Sequence, residues 1–513
     1  MRHVIFIKGL QVSKFFSYFC LMNDFVVSML LLGAISSGGN MPFWSTANSF
    51  GLMPEYSGGL ALVSASTSFD ESKNWKWCWG VSLAAREEKT LGFTFIPDQV
   101  YVSGGWRNIS LDLGIKHEKQ DFFGASPLLG SLSTTAGRLA WSGNTRSMPG
   151  YTLRLAPANV PFTKGHLQVF GSWGDYINID PNSFVKHHGA HSTRFGLKGN
   201  IGPASITLAI DHWAQWAGVH PTYGQMPLSF VDYCRMVTGS HGGATSTKSD
   251  QINVIGNQLG CETIRFDWKG DGWSIAAQHE IPYEDKSGMK FQNFPDGVNT
   301  IAFSFDDKKK WVTDIVYEFQ YTMLQSGSVH GRLATEEEIA SGKDPRMEKY
   351  GDGKWYITLG GLDNYSNNGE YASGWTAWGR CKGNPLFFSA GTRKGTLDYK
   401  GLVKGVENNR LKAHHVGISG ALFHKIPYRL MLTWSRNYGT YGAPYERNDT
   451  KDGVPQHQFS SAFNAQIPFL DGSLLLMPGI WCDAGQVLPF NFAATVGLRY
   501  MIQPLKKTKS SSK

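Results

Sequence analysis

Apolar and polar side chains alternate along residues 311–321. Side chains on a strand point to opposite faces in turn, so this segment would carry one apolar, aromatic face and one polar face. The apolar face holds Trp311, Ile315, Tyr317, Phe319 and Tyr321, and the other holds Val312, Asp314, Val316, Glu318 and Gln320.

The same pattern recurs along the chain in segments close to the roughly 9 to 11 residues that a tilted strand needs to cross a bilayer. The predicted strands are 58–69, 76–85, 91–103, 108–116, 151–157, 167–177, 191–198, 204–216, 260–268, 273–282, 298–305, 311–322, 373–380, 386–392, 409–423, 428–437, 457–467, 473–482 and 491–501. Single-chain outer-membrane barrels have even strand numbers, so one of these nineteen is expected to be surplus, and 58–69 is the segment we expect to drop.

Short and long connections alternate between these segments. Barrels of this class place short turns on the periplasmic side and long loops outside. Short turns are expected at 269–272, 306–310, 381–385, 424–427 and 468–472, and long loops at 117–150, 178–190, 217–259, 283–297, 323–372, 393–408, 438–456 and 483–490. The predicted fold is an all-β transmembrane antiparallel barrel of about 18 strands, spanning 57–502 with both ends in the periplasm.

The first 36 residues are predicted to be a secretion signal. The apolar run 25–35 is too short for a spanning helix, and small residues follow it. Lys8 and Lys14 lie far upstream of that run, so Met22 is an alternative start. Residues 37–56 are expected to form a periplasmic arm, and 503–513 a basic disordered tail.

Composition agrees with a membrane barrel. Glycine accounts for 59 of 513 residues and aromatic residues for 13%, as glycine-rich loops and aromatic girdles would require. Much of the net charge of +8 sits at the two ends, so no nucleic-acid-binding stripe is indicated. Outside the leader the cysteines are scattered with no zinc spacing, which favours individually packed thiols. They are Cys78, Cys234, Cys261, Cys381 and Cys482.

A soluble β-sandwich or propeller is the competing fold, since it would also be rich in glycine and short strands. A soluble sheet needs polar residues on its outer face, where these strands carry Trp, Tyr, Phe and Leu. No apolar run beyond the leader approaches ~18 residues, so a helical membrane protein is excluded. The barrel remains the better interpretation.

Charged and amide residues on the polar faces are expected to line the barrel interior. These lumen-lining candidates are Arg265, Asp267, Asp314, Glu318, Gln320, Arg429 and Arg499.

The predicted outer loops are rich in residues that can bind sugars. Flat aromatic faces can stack on sugar rings, while Asn and Arg can bond hydroxyl groups or acidic sugars. Loop packing or an interfacial girdle would explain each residue singly. The glycan-binding candidates are Trp141, Asn144, Arg146, Tyr223, Tyr233, Arg235, Asn364, Tyr365, Tyr371 and Trp375.

No other chemistry is indicated. His187, His188 and His191 lie at a loop-to-strand junction rather than on a helix, which argues against zinc. Segment 363–369 resembles a calcium loop only in composition. No Gly-x-Ser-x-Gly elbow occurs, so no catalytic residue, metal or cofactor is expected. A capping box at Thr335 predicts a short helix ending at Gly342.

Several segments resemble the capsule-assembly Wzi family of outer-membrane proteins, in the form found in Bacteroides-like bacteria. They are 130–132, 141–149 (Trp-Ser-Gly-Asn-Thr-Arg-Ser-Met-Pro), 192–197, 278–289 (Gln-His-Glu-Ile-Pro-Tyr-Glu-Asp-Lys-Ser-Gly-Met), 325–327, 361–369 and 383–386. The resemblance implies an 18-stranded barrel that acts as a lectin, helping secreted capsular polysaccharide to attach to the cell, without catalysis.

Two hypotheses therefore follow. The first is a monomeric surface-polysaccharide-binding barrel in the bacterial outer membrane. Its partners would be capsular or other surface polysaccharide, outer-membrane lipid and polysaccharide export machinery. The second is a porin for diffusion or uptake of small solutes. An open porin would conduct steadily in a planar bilayer, and a closed lectin would not.

Overall fold

The structure is a computed structural model of the 513-residue chain. It describes residues 25–122, 129–135, 137–252, 254–284, 288–326, 330–342, 347–349, 353–360, 363–389, 405–445 and 453–502. The expected tail at 503–513 lies outside these residues.

The described chain forms a closed antiparallel β-barrel of 18 strands. In chain order the strands are β1 Val26–Ser36, β2 Gly58–Ser66, β3 Trp75–Glu88, β4 Gly92–Trp106, β5 Ile109–Ile115, β6 Gly150–Asn159, β7 Leu167–Ile177, β8 Gly189–Ile201, β9 Ala204–Trp216, β10 Asn257–Lys269, β11 Trp273–Tyr283, β12 Gly297–Phe305, β13 Asp314–Tyr321, β14 Leu411–Leu422, β15 Ile426–Asn437, β16 Gln456–Ala465, β17 Leu474–Gly485 and β18 Asn491–Ile502. Strand β16 continues after Gln466 as Ile467–Phe469. Each strand pairs with its sequence neighbours, and β1 pairs with β18 to close the ring.

The outer face of the barrel is apolar. Along β13, Ile315 and Tyr317 are exposed on the outside, whereas Val316 and Glu318 are buried inside. Such a face is stable only against lipid, and closure leaves no strand edge unpaired at membrane depth. The protein is therefore an outer-membrane β-barrel, as the alternation in the sequence predicts.

Seventeen of the predicted strands coincide with barrel strands, including 58–69, which we expected to be surplus. That expectation is wrong, because β2 pairs with both β1 and β3. The surplus segments are 373–380 and the described part of 386–392. They form only the short strands Thr376–Ala377, Arg380–Cys381 and Phe388–Ser389 inside the barrel, where burial rather than lipid explains their apolar side chains.

The missing eighteenth strand is β1, in the run that the sequence analysis assigned to a secretion signal. Leu31 and Ile35 face outwards and are 63% and 68% exposed, while Leu30 and Leu32 are buried on the inner face. Both faces are apolar, so the sequence of the strand shows no alternation of apolar and polar residues and resembles the core of a signal peptide. Residues 1–24 lie outside the described part of the chain.

The two ends of the barrel differ, as predicted. The short connections are 67–74, 107–108, 160–166, 202–203, 270–272, 306–313, 423–425 and 470–473, and the opposite end carries 37–57, 89–91, 116–149, 178–188, 217–256, 284–296, 322–410, 438–455 and 486–490. The first set marks the periplasmic end and the second the extracellular end. The expected turn at 381–385 instead lies within the single long connection 322–410.

Described residues of three extracellular connections, 37–57, 116–149 and 322–410, fold back into the lumen and form what we call the plug. Phe43 and Trp44 pack with Phe388 of the plug and with Met431 and Trp481 of the wall. A second apolar cluster joins plug residues Trp141, Met148 and Trp375 to wall residues Trp213, Leu259 and Val298. Residues 37–56, which we expected in the periplasm, therefore lie inside the barrel, because β1 delivers them to the extracellular end.

The described helices are short. They are α1 Phe43–Thr46, α2 Phe230–Val237, α3 Lys248–Ile252 and α4 Glu336–Ser341, with single 3₁₀ turns at Gly288–Lys290 and Leu470–Gly472. Helix α4 begins with the predicted capping box at Thr335 and ends at Gly342 in the left-handed conformation. In the part of the chain that the structure describes, no helix is long and apolar enough to cross a membrane.

We expect the mature protein to retain Val26–Ser36. Removing β1 would leave β2 and β18 with unpaired edges in lipid, and each unpaired backbone group there costs several kcal/mol. Mass spectrometry of the protein purified from outer membranes should detect peptides covering 26–36. A mature chain beginning at residue 37 would contradict this architecture.

Candidate functional site

Carboxylates on the inner wall hold the plug by its backbone. Glu318 on β13 accepts hydrogen bonds from the Ser133 hydroxyl at 2.6 Å and the Thr134 amide at 2.7 Å. Glu280 on β11 accepts from the Leu139 amide at 2.7 Å and the Thr135 hydroxyl at 3.0 Å. Bonds between a buried amide and a carboxylate are stronger than neutral ones, so these contacts fix segment 133–139 against the wall.

Helix α1 is held in a similar way by two other strands of the wall. Its first amide, from Phe43, donates to Asp483 of β17 at 2.8 Å, and the Trp44 indole donates to the Thr433 hydroxyl of β15 at 2.8 Å. A four-residue helix has too few internal hydrogen bonds to be stable alone. Its conformation therefore depends on the wall.

Ion pairs tie the start of the 116–149 segment to β6 and β9. Arg138 bridges Glu118 at 3.0 Å and Asp211 at 3.2 Å, and Arg154 also pairs with Glu118. Their side chains are at most about a third exposed. Shared partners make this a network rather than isolated surface pairs, which contribute little.

Three of the lumen-lining candidates border an open vestibule below the plug. Arg265, Asp267 and Asp314 lie around a cavity of about 450 Å³ at the periplasmic half of β8–β13. Arg265 pairs with Asp267 at 2.8 Å and lies over the ring of plug residue Phe122 at 4.8 Å. Asp314 pairs with Lys308 at 2.6 Å.

The other lumen-lining candidates lie away from this vestibule. Glu318 anchors the plug, and Arg429 donates to the Ser131 carbonyl at 3.0 Å and to Asn464 at 3.1 Å. Arg499 donates to Ser28 across the β1–β18 seam at 2.8 Å. Gln320 is buried, and its amide group has no partner among the described residues.

Five glycan-binding candidates are buried inside the plug, where no sugar could reach them. Trp141 stacks on Trp213 at 4.7 Å and meets Trp375 edge-on at 5.8 Å. Asn144 donates to the Cys381 carbonyl at 2.9 Å. Tyr365 donates to Asp296 at 2.9 Å, and the hydroxyl of Tyr371 donates to the Ala217 carbonyl at 3.0 Å. These side chains pack and orient the plug.

The other five lie nearer the surface but not together. Tyr233 donates to Asp175 at 3.0 Å, and Arg235 pairs with Asp232 at 3.2 Å, both on α2. Asn364 is exposed and accepts from Asn409 at 2.6 Å. Arg146 lies over the Trp378 ring at 5.1 Å, and Tyr223 is exposed and stacks on His220 at 4.4 Å.

Arg146 and Tyr223 belong to a set of side chains on four adjoining extracellular connections, which we call the extracellular patch. The patch consists of Arg146, Phe184, Lys186, His220, Tyr223 and Trp378. Segment 178–188 contacts the other connections. Asp180 accepts a hydrogen bond from the Trp378 amide at 2.6 Å, and the backbone of Lys186 pairs with that of Val219. The Phe184 ring lies edge-on to the His220 ring at 5.1 Å. The patch offers aromatic faces beside two cationic side chains.

The sequence analysis missed Phe184, Lys186, His220 and Trp378 as site residues. Trp378 lies in the predicted strand 373–380, from which only Trp375 was chosen as a candidate. The others stand alone in ordinary loop sequence, and only the contacts between separate segments bring them together. The three histidines of the His-His-x-x-His group diverge, because His188 is buried against Asn178 whereas His191 pairs with Asp175 on the outer wall.

Two buried charges sit where extracellular segments meet. Burial lowers the pKa of Lys382 to about 7, and its ammonium group lies over the Trp375 ring at 4.6 Å. Burial, together with the neighbouring Glu370 carboxylate, raises the pKa of Asp250 to about 7. Glu370 also accepts from Thr247, so this carboxyl pair joins segments 217–256 and 322–410.

Solved outer-membrane barrels share this architecture. Wzi from Escherichia coli, described as a carbohydrate-binding barrel involved in group 1 capsule assembly, superposes with a TM-score of 0.50 at 14% identity, covering 96% of this chain and 87% of Wzi. OmpF from Salmonella typhi and OccAB2 from Acinetobacter baumannii match over 93% of this chain, with TM-scores of 0.40 and 0.42 at 8% and 9% identity. No protein-family model matches the chain, and no curated protein matches it. The likeness establishes the barrel fold.

Replacing Glu318 should loosen the plug. The Glu318→Gln change keeps the side-chain volume but removes the charge that accepts from Ser133 and Thr134, which should cost about 1–3 kcal/mol. We expect faster hydrogen exchange at 133–139 and brief openings in a planar bilayer, whereas the unaltered protein should give no steady current. Asp267→Asn is the matched control, because Asp267 pairs with Arg265 and holds no plug amide. Unchanged exchange in Glu318→Gln would show that the wall carboxylate does not hold the plug.

The contact between segments 217–256 and 322–410 should weaken as pH rises. The folded-state pKa of Asp250, about 7, lies above its unfolded value of about 3.9, so protonation stabilises the contact. That stabilisation is complete below about pH 4 and is lost as pH rises through about 7. Hydrogen exchange at 242–256, corrected for its intrinsic pH dependence, should be faster at pH 8 than at pH 5. The difference should vanish in Asp250→Asn and persist in Asp271→Asn, which alters an exposed periplasmic turn.

Proposed function

We propose that this protein binds surface polysaccharide at the extracellular end of its barrel and helps attach that polymer to the cell. The observation that carries the proposal is the extracellular patch above a plugged lumen. The role is binding, and no catalytic step is assigned to any residue.

The plug supports a binding role over a conducting one. Described residues of the 116–149 and 322–410 connections pack with α1 in the lumen around two apolar clusters. Amides of α1 and of the 116–149 connection are bonded to the wall. Opening a continuous pore would expose those clusters to water and break the carboxylate–amide bonds. Such a change is costly, so the closed form should predominate.

The chemistry of the patch supports a carbohydrate ligand. Tyr223 and Trp378 offer aromatic faces for the apolar side of a sugar ring. Arg146 and Lys186 offer charge to carboxylate or phosphate groups on an acidic polymer. The E. coli Wzi barrel, described as carbohydrate-binding, is a precedent for this role in a barrel of this architecture.

The porin hypothesis rests on the vestibule of about 450 Å³ in the periplasmic half of the barrel, which Phe122 borders. A transport role would require that the plug move aside. The porin hypothesis predicts steady channels from the pure protein, and the binding hypothesis predicts none.

The deciding experiment is the division of surface polysaccharide between cells and medium. Deleting the gene should leave polymer synthesis intact while polymer sheds into the medium, and the unaltered gene should restore attachment. The Tyr223→Ala/Trp378→Ala double variant should fail to restore it and should bind purified polymer at least ten-fold more weakly, a loss of about 1.4 kcal/mol.

The matched control is Phe162→Ala, which removes an exposed aromatic side chain from a periplasmic turn. It should restore attachment fully. If the cell-bound fraction does not change on deletion while uptake of a solute falls, the binding proposal is wrong and the porin hypothesis replaces it.

A further inference from the structure

One extracellular connection, 217–256, sends its main helix to the outside of the barrel rather than into the lumen. On β9 the residues that face outwards are Ile206 and Leu208, which are half exposed, and further along Ala214 and Trp216. Helix α2 covers the upper pair.

The packed side of α2 is well defined. Met236 of α2 forms an apolar cluster with Ala214 and Ile255, and the Tyr233 ring lies 5.2 Å from Trp216. Gln258, which faces outwards on β10, donates to the Met236 and Ile255 carbonyls at 3.2 and 2.8 Å. These contacts fix the helix against the outer wall.

The start of α2 exposes apolar side chains away from these contacts. Phe230 is 79% exposed and Val231 56% exposed, and Leu228 just before the helix is 61% exposed. Three exposed apolar side chains within four residues are unusual for a surface that faces water. They lie beside the outward face of β9 and β10, whose lower part carries the lipid-facing Leu208 and Ile264.

A groove of about 300 Å³ lies next to the end of α2 on the same outer wall. Outward-facing His212, Gln258 and Tyr283 line it, and Thr238 and Met289 border it. Carbon atoms make up most of its lining. The side chain that Gly260 lacks would lie 2.2 Å from Cζ of the Tyr283 ring, so the glycine allows that ring to lie flat against the wall.

A cationic side chain stands at one edge of the groove. Lys290, in the 3₁₀ turn Gly288–Lys290, lines the groove and is exposed. Glu284 also lines the groove, but its carboxylate accepts a hydrogen bond from the Ser366 amide of the plug. An apolar channel with a cation at its edge suits an amphiphile that has an acyl chain and an anionic headgroup.

We propose that α2 and the adjoining groove form a binding site for an outer-leaflet lipid, whose acyl chain occupies the groove and whose anionic headgroup pairs with Lys290. The site is continuous with the lipid-facing surface of β9–β11, so a lipid reaches it without leaving the membrane. Leu228, Phe230 and Val231 insert into the same leaflet beside the bound lipid. This site lies on the opposite side of the barrel wall from the plug and does not depend on the polysaccharide role.

The exposed thiol of Cys234 on α2 gives a direct test. A bimane label on Cys234, with Cys20 and Cys482 replaced by serine, would report from full-length protein in vesicles of phosphatidylcholine and phosphatidylglycerol. The remaining cysteines, Cys78, Cys261 and Cys381, are buried. Bromine atoms on the phosphatidylglycerol acyl chains should quench the label at least two-fold. The same bromine content on phosphatidylcholine should quench it less.

Two variants locate the lipid. Thr238→Trp should fill the groove, and Lys290→Glu should repel the headgroup, so each should remove the preference for the anionic lipid. Lys164→Glu, in a periplasmic turn, is the matched control and should keep it. Heat-dependent migration on gels would check that each barrel is folded.

Two results would overturn the proposal. If aqueous iodide quenches the label and brominated lipid does not, α2 stands in water. If lipid quenching is unchanged in both Thr238→Trp and Lys290→Glu, α2 touches the membrane but the groove holds no lipid.

Discussion

The structure depends on one constraint: a backbone segment inside a barrel must find partners for its amides away from water. An amide left unpaired there costs about 1–3 kcal/mol, and an isolated carboxylate costs more. Three wall carboxylates accept hydrogen bonds from plug amides, so that neither the amides nor the carboxylates are left unpaired. They are Glu318, Glu280 and Asp483. Wall and plug therefore stabilise each other. Charges that resemble the lining of a channel hold the plug against the wall.

The sequence predicts the wall of the barrel well because lipid imposes a simple alternation. The alternation is informative only where the interior is polar. Along β1 the inner face packs on plug residues such as Phe43, so Leu30 and Leu32 are as apolar as their lipid-facing neighbours and the strand resembles a signal peptide. The plug caused the opposite error, because the buried tryptophan in 373–380 suggested a strand facing lipid.

The sequence predicted the candidate site less well than the wall, again because it did not reveal that loops are packed inside the barrel. Aromatic and amide residues in loops were expected to meet sugars, but Trp141, Tyr365 and Trp375 form the interior of the plug. Composition cannot distinguish a loop in solvent from a loop folded into a lumen. The sequence analysis identified Arg146 and Tyr223 as candidates. Phe184 and His220 can be identified only from the structure, which brings their two segments into contact.

The seam between β1 and β18 has a consequence for biogenesis. The first strand pairs with the last, and α1 is held by Asp483 and Thr433, which belong to the final fifth of the sequence. Strand β1 can pair with β2 early, but its other edge and α1 have no partners until the last strands are translated. Contacts of such large sequence separation form slowly. A chain that cannot complete its ring early remains unfolded in transit, which is the state in which it must cross the periplasm.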